Sequence, residues 1–200
     1  KLIAHNVDRM HHYLLLIFKG CTSALLSSNK MSKLKTLLKN ELTERELSLA
    51  PNSYDQIGSI AICQDFLKEL EKKEKIIAQE LIKNNKNIKT VAVKTEKHSG
   101  RYRLKKIKVI AGEKTKEALH KENDIRVKLD VEECYFSPRL SNERLRISRQ
   151  VIKGEEVLVM FSGVGVYNFV IAKNTKVRHI YGIEINPTAH KYAIENTRLN

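Results

Sequence analysis

Two hundred residues, 42% of them hydrophobic, suit one large domain or two small ones with a real core. A net charge of +14 exceeds what solvation requires and points to a polyanionic partner; the competing reading is a soluble protein from a lysine-rich proteome, since charge speaks to association and not to fold. Cys21, Cys63 and Cys134 lie too far apart for paired metal-ligand spacing, which excludes a metal site of that kind, and they read as thiols in a reducing compartment.

Along the first thirty residues the apolar run Leu14–Phe18 is interrupted by Lys19, so it is too short for a membrane span, and Ser23-Ala24 imitates a secretory cleavage site poorly. No membrane or export role follows. After Met31, Leu34, Leu37, Leu38 and Leu42 fall at helical spacing with lysines between them. Met31 is therefore expected to be the natural start, with residues 1–30 a poorly ordered or unrelated extension.

From Pro51 to Asp130 the pattern predicts strands and one helix. Tyr54–Gly58 reads as a turn entering an apolar strand over Ser59–Cys63, and Phe66, Leu70, Ile77 and Leu81 mark the buried face of a charged helix stopped by Asn84-Asn85. Arg101, Arg103 and Lys105 alternate with Tyr102 and Leu104, and Arg126 and Lys128 alternate with Ile125, Val127 and Leu129. The two alternations predict a basic sheet face able to track phosphates. A merely solvated face is the alternative.

Downstream, Pro138 holds Ser137 extended, and Ser141 is the expected N-cap of a helix carrying Leu145 and Ile147. Glu143 then lies in the first turn, where a carboxylate ordinarily compensates the helix dipole. Val157–Val159 is a short strand feeding a turn with Gly163 and Gly165; a helix runs to about Lys173, and a second strand, His179–Ile183, ends on Glu184. This is half of a doubly wound nucleotide-binding sheet. The glycines admit close backbone approach, and Glu184 is placed to accept hydrogen bonds from two ribose hydroxyls. Tyr167 and Asn168 stand where a third glycine would be, which favours an adenosyl group with an amino-acid tail, as in S-adenosylmethionine, over a pyrophosphate. A purely structural tight turn is the competing reading.

The stretches YFSPRLSNERLRI, MFSGVGVYNFVIAK and IYGIEINPTAHKYAIENTRLN resemble the archaeal and eukaryotic tRNA (guanine(37)-N1)-methyltransferase family with its wyosine-pathway relatives. Upstream, SYDQIGSIAI, SGRYRLKKIKVIAGE and HKENDIRVKLD look like that family's RNA-binding domain, so the resemblance covers about Met31 to Asn200. It implies an α+β RNA-binding domain followed by the first half of an α/β class I, Rossmann-like, S-adenosylmethionine-dependent methyltransferase domain, with boundaries at residues 1–30, 31–130 and 131–200. It implies tRNA as partner, no metal, a monomer and a cytoplasmic location. The family's catalytic arginine maps onto Arg103 and its general base onto Glu143. Cofactor contacts map onto Tyr135, Arg144, Phe161, Glu184 and Asn186, to which the glycine turn adds Gly163 and Gly165; the expected RNA-binding residues are Arg101, Lys105, Arg126 and Lys128 of the basic face, with Arg139.

The chemistry is coherent. Guanine N1 carries a proton at neutral pH, so Glu143 would remove it, Arg103 would stabilise charge on O6, and the Gly163–Gly165 turn would position the methyl donor. A helix N-terminus works against this by lowering the carboxylate's basicity. Val159 replaces the acid often found two residues before the motif phenylalanine, and Val166 replaces the usual proline after the second glycine. Later strands and the family's catalytic loop do not follow Asn200, so the chain is expected to be a fragment, inactive by itself, in which residues 51–130 fold and bind RNA weakly while residues 157–200 are loosely held. Two other functions compete: an aminocarboxypropyl transferase of the wyosine pathway using the same cofactor, and a basic RNA-binding protein with a vestigial glycine turn.

Overall fold

The computed structural model describes residues 33–64, 66–95 and 100–200. The expected extension over residues 1–30, the Met31 start and Cys21 lie outside the described residues. By contact, Met31–Asn200 is one unit. Among the described residues no helix is long and apolar enough to cross a membrane.

Helix α1 (Lys33–Leu37) and the turn after it bury Leu34, Leu38 and Leu42, as their spacing predicts. Helix α2 (Glu44–Leu49) starts in a reciprocal cap: Glu46 N–H donates to Thr43 Oγ1 at 3.3 Å and Thr43 N–H donates to Glu46 Oε2 at 2.8 Å. A four-stranded sheet follows, ordered β1 (Tyr54–Ile57), β2 (Ile60–Cys63), β3 (Thr90–Lys94) and β4 (Ile107–Gly112). Tyr54–Ile57, expected to be a turn, is thus a strand. It pairs antiparallel with β2 from Tyr54 opposite Cys63 to Ile57 opposite Ile60, and the turn shrinks to Gly58 and Ser59. β2 and β3 are parallel, and helix α3 (Glu74–Asn84), preceded by a 3-10 segment Lys68–Lys73, makes the crossover. Phe66, Leu70, Ile77 and Leu81 are all buried, and the helix stops at Asn85, whose amide donates to the Leu81 carbonyl at 3.1 Å.

The strand expected over Arg101–Lys105 does not form. Gly100 to Arg103 is a turn, with Gly100 at φ +71° and Arg103 at φ +52°, and β4 begins only at Ile107. Positive φ at Arg103 breaks the alternation, so Arg101 and Arg103 are exposed while Lys105 turns inward to 7% exposure. The other alternation holds. Strands β5 (Glu117–Glu122) and β6 (Ile125–Asp130) form a hairpin through Asn123 and Asp124, both at positive φ, with Ile125, Val127 and Leu129 buried and Arg126 exposed. This hairpin is a separate two-stranded sheet, so the basic residues expected on one face are divided between a turn, a buried position and a hairpin.

A 3-10 turn over Pro138–Leu140 leads into helix α4 (Ser141–Ser148). Ser141 is not its N-cap: the preceding turn already sets helical dihedrals there (φ −56°, ψ −48°), and Leu140 holds the cap position without a side-chain bond. Strand β7 (Glu156–Met160), helix α5 (Val166–Asn174), strand β8 (His179–Ile183) and helix α6 (Pro187–Leu199) complete the chain, with β7 and β8 parallel. Asn186 caps α6 and Pro187 opens it. One face of the β7–β8 pair carries Leu158, Tyr181 and Ile183, all exposed.

Two apolar cores result. One lies between α1, α3 and the sheet and includes Leu38, Ala61, Leu70, Ile77, Leu81 and Val91. The other joins Ile57, Ile60 and Ile62 to the hairpin's Ile125, Val127 and Leu129, and these to Val164, Val170 and Ala189. The outer edge of β6 is covered as well. Asn196, fully buried, accepts from Lys128 N–H at 2.7 Å and donates to the Lys128 and Val164 carbonyls at 3.0 and 3.1 Å. Asn200 repeats the exchange at Arg126, at 2.9 and 2.7 Å. One helical turn thereby satisfies edge groups two residues apart on the strand.

Candidate nucleotide and RNA site

The turn after β7 is shaped by backbone rather than by side chains. Gly165 sits at φ +86°, and a Cβ there would stand 2.6 Å from the Phe169 ring, so only glycine lets α5 start this close to its own first turn. Gly163, at φ +56°, donates its amide to Glu184 Oε2 at 2.7 Å, and Glu184 Oε1 accepts the Asn186 amide at 2.7 Å. Glu184 is therefore fixed at the end of β8 by one backbone donor per oxygen, and each oxygen keeps a lone pair. Phe161, before the turn, is 72% exposed and holds φ +56°. That is an unfavourable region for an aromatic residue and marks a conformation set by its surroundings.

Other expected residues gather against this turn. The Tyr135 carbonyl lies 3.8 Å from where a Gly163 Cβ would be, and the Arg103 guanidinium stands 5.6 Å above the half-exposed Tyr135 ring. Arg103, Tyr135, Gly163 and Glu184 thus follow one another from the Gly100–Arg103 turn to the end of β8. Two further residues are spoken for. Asn186 uses its side-chain oxygen to cap α6 and donates Nδ2 to the Glu133 carbonyl at 2.7 Å. Arg144, 3% exposed, gives Nε and one terminal nitrogen to Glu122 at 2.5 and 2.6 Å, donates to the Ser137 carbonyl at 3.0 Å, and lies 5.2 Å from the Phe136 ring centroid.

Glu143 lies in the first turn of α4 and is clasped by Arg146, Nε and a terminal nitrogen donating at 2.7 and 2.6 Å. The guanidinium holds the carboxyl below its ordinary range. Tyr167, nearby, has its hydroxyl pushed up, chiefly by burial.

Of the expected RNA contacts, Lys105 and Arg139 meet at one cavity, and Arg101, Arg126 and Lys128 lie on other elements. Arg139 pairs with Asp55 at 2.7 Å, and Lys94 approaches the same carboxylate at 3.6 Å. Lys105 lines the cavity beside them together with Gln64, Tyr135 and Ser137. Lys128 is engaged by Glu117 at 3.1 Å and Glu195 at 3.7 Å, while Arg101 and Arg126 are exposed. Asp55, Lys94 and Arg146 escaped the sequence reading. The partners of Asp55 and Lys94 are fixed by tertiary structure, with Asp55 and Arg139 84 residues apart in the chain, whereas Arg146 pairs with Glu143 one helical turn away, a spacing that the sequence shows.

A parallel strand pair with a glycine turn after the first strand and an acid ending the second is the arrangement with which doubly wound α/β folds hold a nucleotide. The family model for the TRM5/TYW2 methyltransferase domain matches residues 118–200, and that for the TYW2 N-terminal domain matches residues 34–115. The chain belongs to the TRM5/TYW2 family. It is 43% identical over 150 residues to the tRNA (guanine(37)-N(1))-methyltransferase Trm5b of Pyrococcus abyssi, covering 75% of this chain and 44% of that protein. It is 44% identical over 148 residues to the tRNA (guanine(37)-N(1))/4-demethylwyosine(37)-methyltransferase Taw22 of Nanoarchaeum equitans, covering 74% and 48%. Among solved structures, the complex of aTrm5 with tRNALeu superposes with a TM-score of 0.73 at 30% identity, covering 90% of this chain and 53% of that one. The chain spans about half the length of these relatives.

Proposed function

We propose that the chain is the RNA-binding and donor-binding part of an S-adenosylmethionine-dependent enzyme that methylates N1 of the guanosine 3′ of the anticodon in tRNA. The observation that carries this reading is that Gly163 N–H fixes Glu184 at the end of β8 while the Tyr135 carbonyl faces the open side of Gly163 and the Tyr135 ring lies under Arg103, so that a carboxylate suited to a ribose and a cation suited to a purine oxygen flank one turn. The donor fits the residues present: Glu184 is held with a lone pair free on each oxygen, and among the described residues other than its chain neighbours nothing but the Tyr135 carbonyl oxygen, at 3.8 Å, comes within 4 Å of where a Gly163 Cβ would be. When bound, that cofactor supplies an electrophilic methyl group. Glu184 and the Gly163–Gly165 turn would hold it, with Phe161 and Tyr135 beside them, while the Asn186 amide steadies Glu184 and Arg144 ties α4 to Glu122 and the Ser137 carbonyl.

On this reading the chain's own residues do three things. Glu143 takes the N1 proton, which requires it to leave the Arg146 clasp when RNA arrives. Arg103 places a guanidinium against the oxygen that becomes negative as N1 is deprotonated. Tyr135 offers its ring to the base and orients Arg103. The same reading carries a monomer acting in the cytoplasm.

The test is nucleoside analysis of tRNA incubated with the full protein and labelled cofactor. Methylated guanosine at position 37 is the expected product. A product carrying the aminocarboxypropyl group would replace this reading with the wyosine-pathway transferase, and no transfer with intact RNA binding would leave a binding protein. Glu143→Gln is expected to keep RNA affinity and lower the single-turnover rate on the order of a hundredfold. A wild-type rate in that variant rejects Glu143 as the base.

A further inference from the structure

The sheet's β1 and β3, the turn before β4 and the Pro138 turn converge on a cavity of about 180 Å³ lined by Asp55, Gln64, Lys94, Lys105, Tyr135, Phe136, Ser137 and Arg139. Three of these are cations and one is a carboxylate, leaving a net charge of +2 around one small volume. Asp55 does not neutralise it. The carboxylate spends one oxygen on Arg139 Nε at 2.7 Å and meets Lys94 with the other at 3.6 Å, so it fixes the directions of those two side chains. Lys105 is different in kind. It is 7% exposed, and among the described residues its ammonium has no hydrogen-bond partner. With its stem buried and its ammonium opening on the cavity, Lys105 presents its charge to an anion that enters there.

We propose that this cavity is a single-phosphate pocket that takes one phosphodiester of an RNA backbone, with Lys105 as the buried ligand and Lys94 and Arg139 closing on it from the rim. The inference rests on the tRNA reading and names which part of that substrate is gripped. A phosphate monoanion supplies acceptors in several directions, which one carboxylate already shared between two partners does not. Gln64 and Ser137 add neutral polar groups at the wall. Position argues for a backbone phosphate over a free one. Tyr135 lines this cavity and also lies under Arg103 and against Gly163, so a phosphate here is the immediate neighbour of the base to be modified. The pocket would set which nucleotide reaches the transfer site, by holding the chain one phosphate away from it.

The charge state of Lys105 adds a signature. Burial, with Lys94 beside it and Asp55 opposing, brings the ammonium down to about 8. The groups facing it are Asp55 on β1, Lys94 on β3, Arg139 on the Pro138 turn and the Tyr135 ring. An anion favours the protonated form, so binding takes up protons near and above that pH, and affinity falls as pH rises past it.

The experiment uses the full protein and an RNA anticodon stem-loop. Lys105→Met keeps length and removes charge, Lys94→Met does the same at the rim should the buried change fail to fold, and Lys108→Met, at an exposed lysine outside the pocket, is the control. Loss of one phosphate contact is expected to weaken binding roughly tenfold or more and to lower the salt slope by about 0.7–0.9. Replacing single phosphates near the target nucleotide by methylphosphonates is expected to find one position at which wild type and Lys105→Met bind alike. Equal affinity and salt slope in wild type and both pocket variants, or equal sensitivity of wild type and variant at every position, overturns the proposal. Inorganic phosphate is the second probe. Binding at Lys105 that RNA displaces supports a backbone phosphate, and binding that persists beside RNA assigns the pocket to free phosphate and overturns it. Methyl transfer is scored separately: a pocket that grips RNA without transfer sinks the activity and not the pocket, and transfer with unchanged affinity in the pocket variants does the reverse.

Discussion

Glu122 on β5 and Arg144 on α4 meet in a two-pronged ion pair at 2.5 and 2.6 Å, with side chains only 4% and 3% exposed. His120 extends it, its Nε2 3.3 Å from Glu122 and its Nδ1 accepting the Gly58 amide at 3.2 Å. The β1–β2 turn, the hairpin and α4 are thereby linked through one buried carboxylate. Removing Glu122 leaves a buried guanidinium without its counter-ion, so Glu122→Ala is expected to cost about 3–5 kcal/mol by chemical denaturation. Replacing both partners by Leu and Met should recover most of it. If Glu122→Ala and the double replacement prove equally unstable, packing and not charge explains the loss.

The same pair sets an acid limit. Burial tends to raise the Glu122 carboxyl, but hydrogen bonds from His120 and Arg144 prevail and hold it below its ordinary value. A depressed carboxylate stabilises the fold above its unfolded-state pKa and loses that contribution as pH falls through the folded-state value. The gap in melting temperature between wild type and Glu122→Gln is therefore expected to be full at neutral pH and to close below about pH 4. A gap that is constant down to pH 2 would contradict this.

Arg146 is the group that keeps Glu143 acidic. Arg146→Ala should let the carboxyl rise toward its ordinary value, moving the acid limb of the single-turnover rate to higher pH and making Glu143 a better base at neutral pH. A profile that does not move would mean that Arg146 is already released in the RNA complex or that Glu143 is not the titrating base, and Glu143→Gln separates those two.

Much of the second half was readable because its signals are local. Apolar runs of strand length around Val157–Val159 and His179–Ile183, glycines between, and an acid at the end of the second run all describe one chain segment at a time. Tyr54–Ile57 was misread because Asp55 and Gln56 look like turn residues; they belong to a strand because Asp55 finds Lys94 and Arg139 and Gln56 donates to the Gly58 carbonyl. The alternation from Arg101 to Lys105 was a true pattern with the wrong meaning, because Arg103 takes a positive φ that no periodicity reveals. What lay beyond reach was pairing: His120 with Gly58, 62 residues apart, and the closing of Lys94, Lys105 and Arg139 on one cavity.

Gly58 is a site of close approach. At φ +56° its missing Cβ would lie 2.5 Å from the Leu119 carbonyl oxygen. Gly58→Ala combines left-handed strain with a backbone clash and is expected to cost about 2–3 kcal/mol. A change of a few tenths would show that the β1–β2 turn can move off β5 without loss.

Asn196 gives a prediction read by exchange. Asn196→Ala strips the Lys128 amide and two carbonyls of their partners and should cost about 2–4 kcal/mol. Protection of the Lys128 amide against hydrogen exchange is expected to fall further than that of Val127, whose amide faces β5 opposite His120. Equal loss at both amides would mean that the helix detaches as a whole.

The hairpin's buried face belongs to two neighbours at once, with Ile125, Val127 and Leu129 packed between the sheet's Ile57 and Ile60 and the helices' Val170 and Ala189. Heat should therefore melt residues 33–200 in one calorimetric transition. For the same reason, hybrids between relatives can exchange the four-stranded sheet for another only if β5 and β6 come from the same parent as both of the surfaces they touch. The hairpin thereby ties the inheritance of the four-stranded sheet to that of the β7–β8 pair and its helices.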